Sequence, residues 1–406
     1  MKLSLFGRSA LALFATAILG LGMTGCGGGT IAFLWVLGQQ YNQIAAFKVD
    51  DYTGNLTQTP HEPFVSGGSK PIQILVKSGG RYIYVLNQGT GGAQGTHATQ
   101  GNVSVFSVGG DGVLTFQQSY VTQGYNSQWM AFDSTGEYLY VLDQYSPSAD
   151  GNGSITAYQI NDSSGRLFLV QNTQSVANGQ AALTYFEVGS ASSAIPSPIM
   201  MKQAGSCLFA TNANTIQAYT FSSGQLVTTT NGGIQLSNSN ITSINGNGSL
   251  LSVTDNLNNS ISLYQIGSTC ALAAVNGGSA TMTSLGTENP QYSIIDSSGK
   301  YLYVLNQTNN GTLPSIPYSS IMAYTINSAN NQIQAIAGAP YPTGANPVCM
   351  VEDPTNQYVY TSDHDAGTIT GKRIDTTTGI LSNLTRGSTF SATGEASCLA
   401  ISGSID

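Results

Sequence analysis

The segment GKYLYVLNQ, Gly299 to Gln307, returns seven times along the chain, sharply or in blurred form. It reads GRYIYVLNQ from Gly80 and GEYLYVLDQ from Gly136, with weaker copies at Gly205 (GSCLFATNA), Gly248 (GSLLSVTDN), Asn356 (NQYVYTSDH) and Ala32 (AFLWVLGQQ). The matching positions Val36, Val85, Val141, Ala210, Val253, Val304 and Thr361 are spaced by 49, 56, 69, 43, 51 and 57 residues. A self-similar period of this order predicts a repeat architecture before any local element is considered.

The flanks of each copy say which one. An apolar run ending in Asp or Ser and a Gly turn comes first, as in WMAFDSTG from Trp129; an alternating run such as SIMAYTI or SITAYQI comes after. Turns such as DSSG (Asp162 to Gly165) then lead into a fourth run. Period-two alternation bounded by Gly, Asn, Asp and Ser is the hairpin signal. Each unit is therefore predicted to be four antiparallel strands, a to d, one blade of an all-β propeller.

The chain starts on a b strand (Ile31 to Leu37) and finishes on a lone a strand (Ser397 to Ser402). The two incomplete pieces make one whole blade, and pairing them would close a ring and remove its exposed edges. Seven blades are expected, the closing one built from both ends, over residues 31 to 406.

Residues 1 to 25 read as a secretory signal: Lys2 and Arg8, then an apolar run from Ala10 to Leu21 too short to span a bilayer stably. MTGC before Gly27 resembles the bacterial lipoprotein lipobox, which implies a lipid on Cys26 and only a short linker, residues 27 to 30, before the first strand. The resemblance implies a cell-envelope protein held at a membrane, with Gly27 fitting an outer membrane. Charged residues make up 8% of the chain, where about a quarter is usual. A net charge of −8 and twelve Lys plus Arg exclude the clustered bases that nucleic acid needs. The chain reads as a monomer.

Cys349 and Cys398 hold equivalent positions in the a strands of neighbouring blades, so a bridge there would staple the closing seam; two buried free thiols are the alternative. Cys207 and Cys270 show no such symmetry.

Three insertions, Gln88 to Gly101, Thr173 to Ser197 and Gln307 to Ser319, all fall in b-to-c or d-to-a connections, which share one face of a propeller. The same sorting puts Lys77, Arg81, Glu137, Lys300, Glu352 and Asp353 at a-to-b turns on the opposite face, as solvating or turn residues. On the loop face lie His61, Glu62, His97, Asp143, Asp255, Glu288, Asp363, His364, Asp365 and Glu395, including every histidine. Asp363 to Asp365, Glu395 and the pair His61 and Glu62 belong to three contiguous blades. A His beside carboxylates can act as a general base on water, and converging carboxylates can hold Ca²⁺. The competing reading is turn chemistry: Asn87, Asp143, Asn212, Asp255, Asn306 and Asp363 share one strand-end position, where Asx side chains satisfy backbone groups. No GxxxxGK, HExxH or CxxC motif occurs, and no cofactor is expected.

The unit P-x-x-apolar-x-x-D-x-x-G-K-Y-L-Y-V-x-N followed by S-I-x-A-Y-x-I resembles the lactonase-type seven-bladed propellers, which include 6-phosphogluconolactonase and carboxy-muconate cycloisomerases, and the related YVTN repeats. That resemblance implies lactone opening or closure at the loop-face mouth, with a Pro-His pair entering an a strand and Arg near the mouth. Here the matching entries are Tyr125-Asn126-Ser127, Asn289-Pro290-Gln291 and Asn346-Pro347-Val348, without the His, and no Arg falls at the mouth. Two functions follow. One is a lipid-anchored binding module whose loop face takes a glycan, another neutral polymer or an envelope protein. The other is a diverged lactonase preferring neutral lactones, with His364 as base, Asp363 or Asp365 orienting it, and Glu395, His61, Glu62, Glu288 and Asp143 as substrate contacts.

Overall fold

The computed structural model describes residues 29–90, 99–148, 151–177, 181–190, 193–194, 197–229, 232–282, 289–307 and 319–403. They form seven sheets in which four successive strands pair in the order a-b-c-d, all antiparallel. The sheet from Pro347–Glu352, Tyr358–Asp363, Thr368–Ile374 and Leu381–Asn383 is typical. In five blades a further short strand, such as Thr389–Ser391, adds to strand c beside strand d.

The closing blade is built from both ends, as the incomplete repeats require. Ala396–Gly403 pairs antiparallel with Thr30–Gly38, with Trp35 opposite Ala400 and Val36 opposite Leu399. Each of the seven a strands touches the a strand of the next blade, so the innermost strands form an unbroken circle around the axis. Cys349 and Cys398 are disulfide-bonded across the seam between the seventh and first blades, Cα atoms 5.1 Å apart. A second disulfide, Cys207 to Cys270, ties strand b of the fourth blade to the c-to-d turn of the fifth.

The repeated residues have separate structural tasks. The Asp before the Gly turn caps that turn: Asp296 Oδ1 accepts from the backbone N–H of Lys300 (2.8 Å) and Tyr301 (2.7 Å). The second Tyr of the motif crosses to the next blade. Tyr84, Tyr303 and Tyr360 donate to the carbonyls of Gly165 (3.0 Å), Gly379 (3.0 Å) and Gly54 (2.6 Å). These turn glycines have left-handed φ, and a Cβ on Gly379 would sit 2.4 Å from the Tyr301 ring, so only Gly serves there. Between blades the alternating side chains pack as apolar clusters, for example Tyr303, Leu305 and Ile321 against Met350 and Val359. Among the described residues no helix is long and apolar enough to cross a membrane. Cys26, His97 and Glu288 lie outside the described residues.

Candidate functional site

At the loop face the ring repeats one backbone contact. The residue just after strand b donates its N–H to the carbonyl of the residue entering strand a. The pairs are Gln39 with Glu395, Gln88 with Lys70, Asn256 with Asn240, Gln307 with Asn289 and His364 with Asn346. Asn126 and Gln144 meet through their side chains instead. Most of this inner rim is thus built of amides, and the exceptions are contiguous: His364 in the seventh blade, Glu395 in the first and Lys70 in the second.

His364 is the centre of that group. Its Nδ1 lies 2.8 Å from Asp365 Oδ1, and its Nε2 lies 3.8 Å from Glu395 Oε2. Asn346 Nδ2 donates to the same Asp365 oxygen (3.0 Å). The Asn346 bond, and then the imidazole, hold the Asp365 carboxyl below its ordinary range. The imidazole is a quarter exposed, so water reaches it. One carboxylate can therefore fix the ring through Nδ1 while Nε2 faces solvent and a second carboxylate, the arrangement a general base needs.

The other candidates separate from it. Asp363 is completely buried, its carboxylate accepting from Thr361 (2.8 Å), Thr370 (2.6 Å) and Thr368 (3.2 Å). It has no contact with the His364 ring, so an orienting role for Asp363 does not hold. Successive strand residues point to opposite faces, which sends Asp363 into the blade. Burial pushes its carboxyl up to about 6, against the pull of the threonines. Asp143 is its counterpart in the third blade, buried on Ser127 Oγ (2.6 Å), the Gly124 N–H (3.1 Å) and Thr156 Oγ1 (3.2 Å) and raised to about 7. Both anchor the incoming d-to-a segment, and neither is placed to touch a ligand. His61 and Glu62 precede the short strand Phe64–Val65, which pairs with strand c of the first blade. That site lies at the outer edge of the blade, beyond strand c, so they do not join the rim group.

Two features escape the sequence reading. Lys70 gives the loop-face rim a cation, although no Arg falls at the mouth. The signal for it is its place immediately before Pro71, matching Asn346 before Pro347. The second feature is on the axis, where Trp129 of the third blade meets Tyr292 of the sixth, ring centroids 6.3 Å apart. Between this pair and the a-to-b-turn face lies a cavity of about 370 Å³. It is lined by the final residues of several a strands, including Val76, Ile295 and Glu352, and by Ile401 and Lys202. Glu352 is not a freely solvated turn residue: its carboxylate accepts from the Ser297 N–H (2.7 Å) and Oγ (2.9 Å), and burial raises it to about 7. Among the described residues no group of three or more His, Cys, Asp or Glu is placed to hold a metal ion.

Comparison with known proteins matches a family model described as lactonase, 7-bladed beta-propeller, over residues 30–183 and 243–400. No curated protein sequence matches. Among solved structures, a Bacteroides fragilis protein described provisionally as a 6-phosphogluconolactonase superposes with a TM-score of 0.70 at 15% identity, covering 92% of this chain and 98% of its own. The Pseudomonas aeruginosa periplasmic gluconolactonase PpgL gives 0.69 at 13% identity, covering 93% and 100%. A chain of Kuenenia stuttgartiensis hydrazine synthase gives 0.51 at 16%, covering 86% and 91%. At such identities the likeness is one of fold, and a fold hosts unrelated activities.

Proposed function

Because the chain belongs to the seven-bladed lactonase propeller family, we propose that it is a lactone hydrolase whose reaction centre is the loop-face rim of the seventh, first and second blades. The observation that carries this reading is the preformed pair of His364 Nδ1 and Asp365 Oδ1 at 2.8 Å, with Glu395 Oε2 3.8 Å from Nε2. Asp365 holds the proton of the imidazole at Nδ1 and leaves Nε2 free to accept one. The gap between Nε2 and Glu395 exceeds a direct hydrogen bond and suits a bridging water. That water gives a proton to Nε2 and adds to the lactone carbonyl; the acyl–oxygen bond breaks, and the ring oxygen leaves as a hydroxyl after taking the proton back. The product is the open hydroxy acid. Lys70, exposed at the matching position two blades along, supplies positive charge for the developing oxyanion or for an acidic substituent.

The exposure of Asp365 and Glu395, each close to half, also suits the second reading, a module that binds a neutral ligand at this rim without turnover. We further propose, on the lipobox at Cys26, that the propeller is lipid-anchored in the cell envelope. Turnover of a panel of neutral and 6-phosphorylated sugar lactones by the wild type and by His364→Ala tests the enzymatic reading. Hydrolysis above the spontaneous rate that disappears in His364→Ala supports it. Saturable binding without turnover leaves the binding module.

A further inference from the structure

The axial cavity holds a charge that the ring does not need. Lys202 lies in strand a of the fourth blade, opposite Phe209 of strand b. The same register position in the other six blades is Leu75, Ala131, Asn245, Ile294, Val351 and Ala400. All six are uncharged, so packing at this level is satisfied without a cation. Lys202 is half-buried, and taking water from an ammonium without giving it a partner is unfavourable, so a lysine here costs stability.

Lys202 has no hydrogen bond or ion pair to any described residue, and Tyr292, which also lines the cavity, brings a hydroxyl with no described partner. The other polar groups nearby are already engaged. Gln73 donates to the Met130 carbonyl (3.0 Å) and accepts from its N–H, and Asn245 Nδ2 donates to the Ser293 carbonyl (2.7 Å). The Glu352 carboxylate is turned onto Ser297 at the mouth. The apolar part of the wall is formed by Leu75, Ile294, Val351, Leu399, Ala400 and the Trp129 ring. The cavity therefore sets one unpaired ammonium and one phenol beside an apolar wall segment, within the volume range of small-molecule sites.

We infer that this cavity, entered from the a-to-b-turn face, is a second binding site, for a small apolar or aromatic monocarboxylate whose carboxylate pairs with Lys202 and whose body packs on Trp129. It is separated from the loop-face rim by the Trp129 and Tyr292 pair, so it stands apart from the His364 group. Desolvation at the cavity wall pushes the Lys202 ammonium below its ordinary range, and a bound carboxylate would reverse that push.

Calorimetric titration of the full chain tests this, with benzoate and octanoate as probes and benzyl alcohol as the uncharged control. Benzoate or octanoate should bind saturably in the millimolar range or tighter, and Lys202→Met should weaken that binding by at least about tenfold. Lys202→Arg should retain most of it, His364→Ala should leave it unchanged, and benzyl alcohol should not sense the Lys202 charge. Methionine replaces the lysine chain nearly atom for atom, and six blades tolerate neutral residues at this level, so the variant keeps the fold; unchanged circular dichroism verifies it. No saturable binding by the wild type, or equal binding by Lys202→Met, overturns the inference. Loss with His364→Ala but not with Lys202→Met would place the carboxylate at the rim and overturn it too.

Discussion

The two ends of the propeller axis handle charge in opposite ways. At the loop face His364, Asp365 and Glu395 are partly exposed, with both carboxylates beside the imidazole. At the other end Lys202 lines the axial cavity without a described partner, and Glu352 is folded onto Ser297. The first arrangement is cheap to maintain, because water solvates what the partners do not, and it suits proton transfer. The second costs stability and suits capture of an anion that replaces lost solvation. Buried aspartates at strand ends form a third class. Asp143 and Asp363 are held by hydroxyls and backbone groups and serve the fold.

The contrast can be broken most severely by opening the ring. Deleting 396–403 removes the a strand that pairs with Thr30–Gly38 and one half of the Cys349 to Cys398 bridge. We expect no cooperative thermal transition by circular dichroism and loss of both sites; a folded truncated chain would show that closure is dispensable. Next in size is Trp129→Ala, which removes the divider between the two ends. It should lower unfolding stability by roughly 2–4 kcal/mol in urea titrations, while a retained rim would keep its lactone turnover per folded molecule.

Acidification separates the structural aspartates from the rim. Asp143 and Asp363, at about 7 and about 6, lie above the ordinary aspartate value of 3.8. The folded state therefore binds protons that the unfolded chain has already released. This contribution is greatest below the unfolded value and is lost as pH rises through about 6 to 7. Tm should be higher near pH 5 than near pH 7.5, and Asp143→Asn should flatten that slope. Asparagine fits because Asn87 and Asn306 already fill the same position in two other blades. A Tm that climbs over this interval would contradict the assignment. The smallest effect is at the axis: Lys202→Leu should raise stability by about 1 kcal/mol, read from the same urea titration, and a loss would mean that Lys202 has a partner.

The architecture was legible in the sequence because it depends on a repeated local pattern. Alternation, the Asp-x-x-Gly turns and the complementary ends specify seven like sheets and their closure. Topology also predicted which residues share a face, and so brought His364 near Glu395 although they are 31 positions apart in sequence. It did not say which way a side chain points within a strand end, so Asp363 and Asp365 looked equivalent when only Asp365 meets the imidazole. Lys202 was invisible for a different reason. A lone lysine in MMKQA becomes unusual only when seven a strands are set in register and six prove neutral. The Cys207 to Cys270 bridge joins a strand to a turn in the next blade, unlike positions that repeat symmetry cannot pair.

The division of labour between the two ends is tested most directly by one assay: steady-state hydrolysis of a lactone substrate by wild type, His364→Ala and Lys202→Met side by side, with the spontaneous rate subtracted. His364→Ala should fall to background while Lys202→Met turns over like the wild type. Turnover that survives in His364→Ala and is lost in Lys202→Met would move the chemistry to the axial cavity and contradict that division.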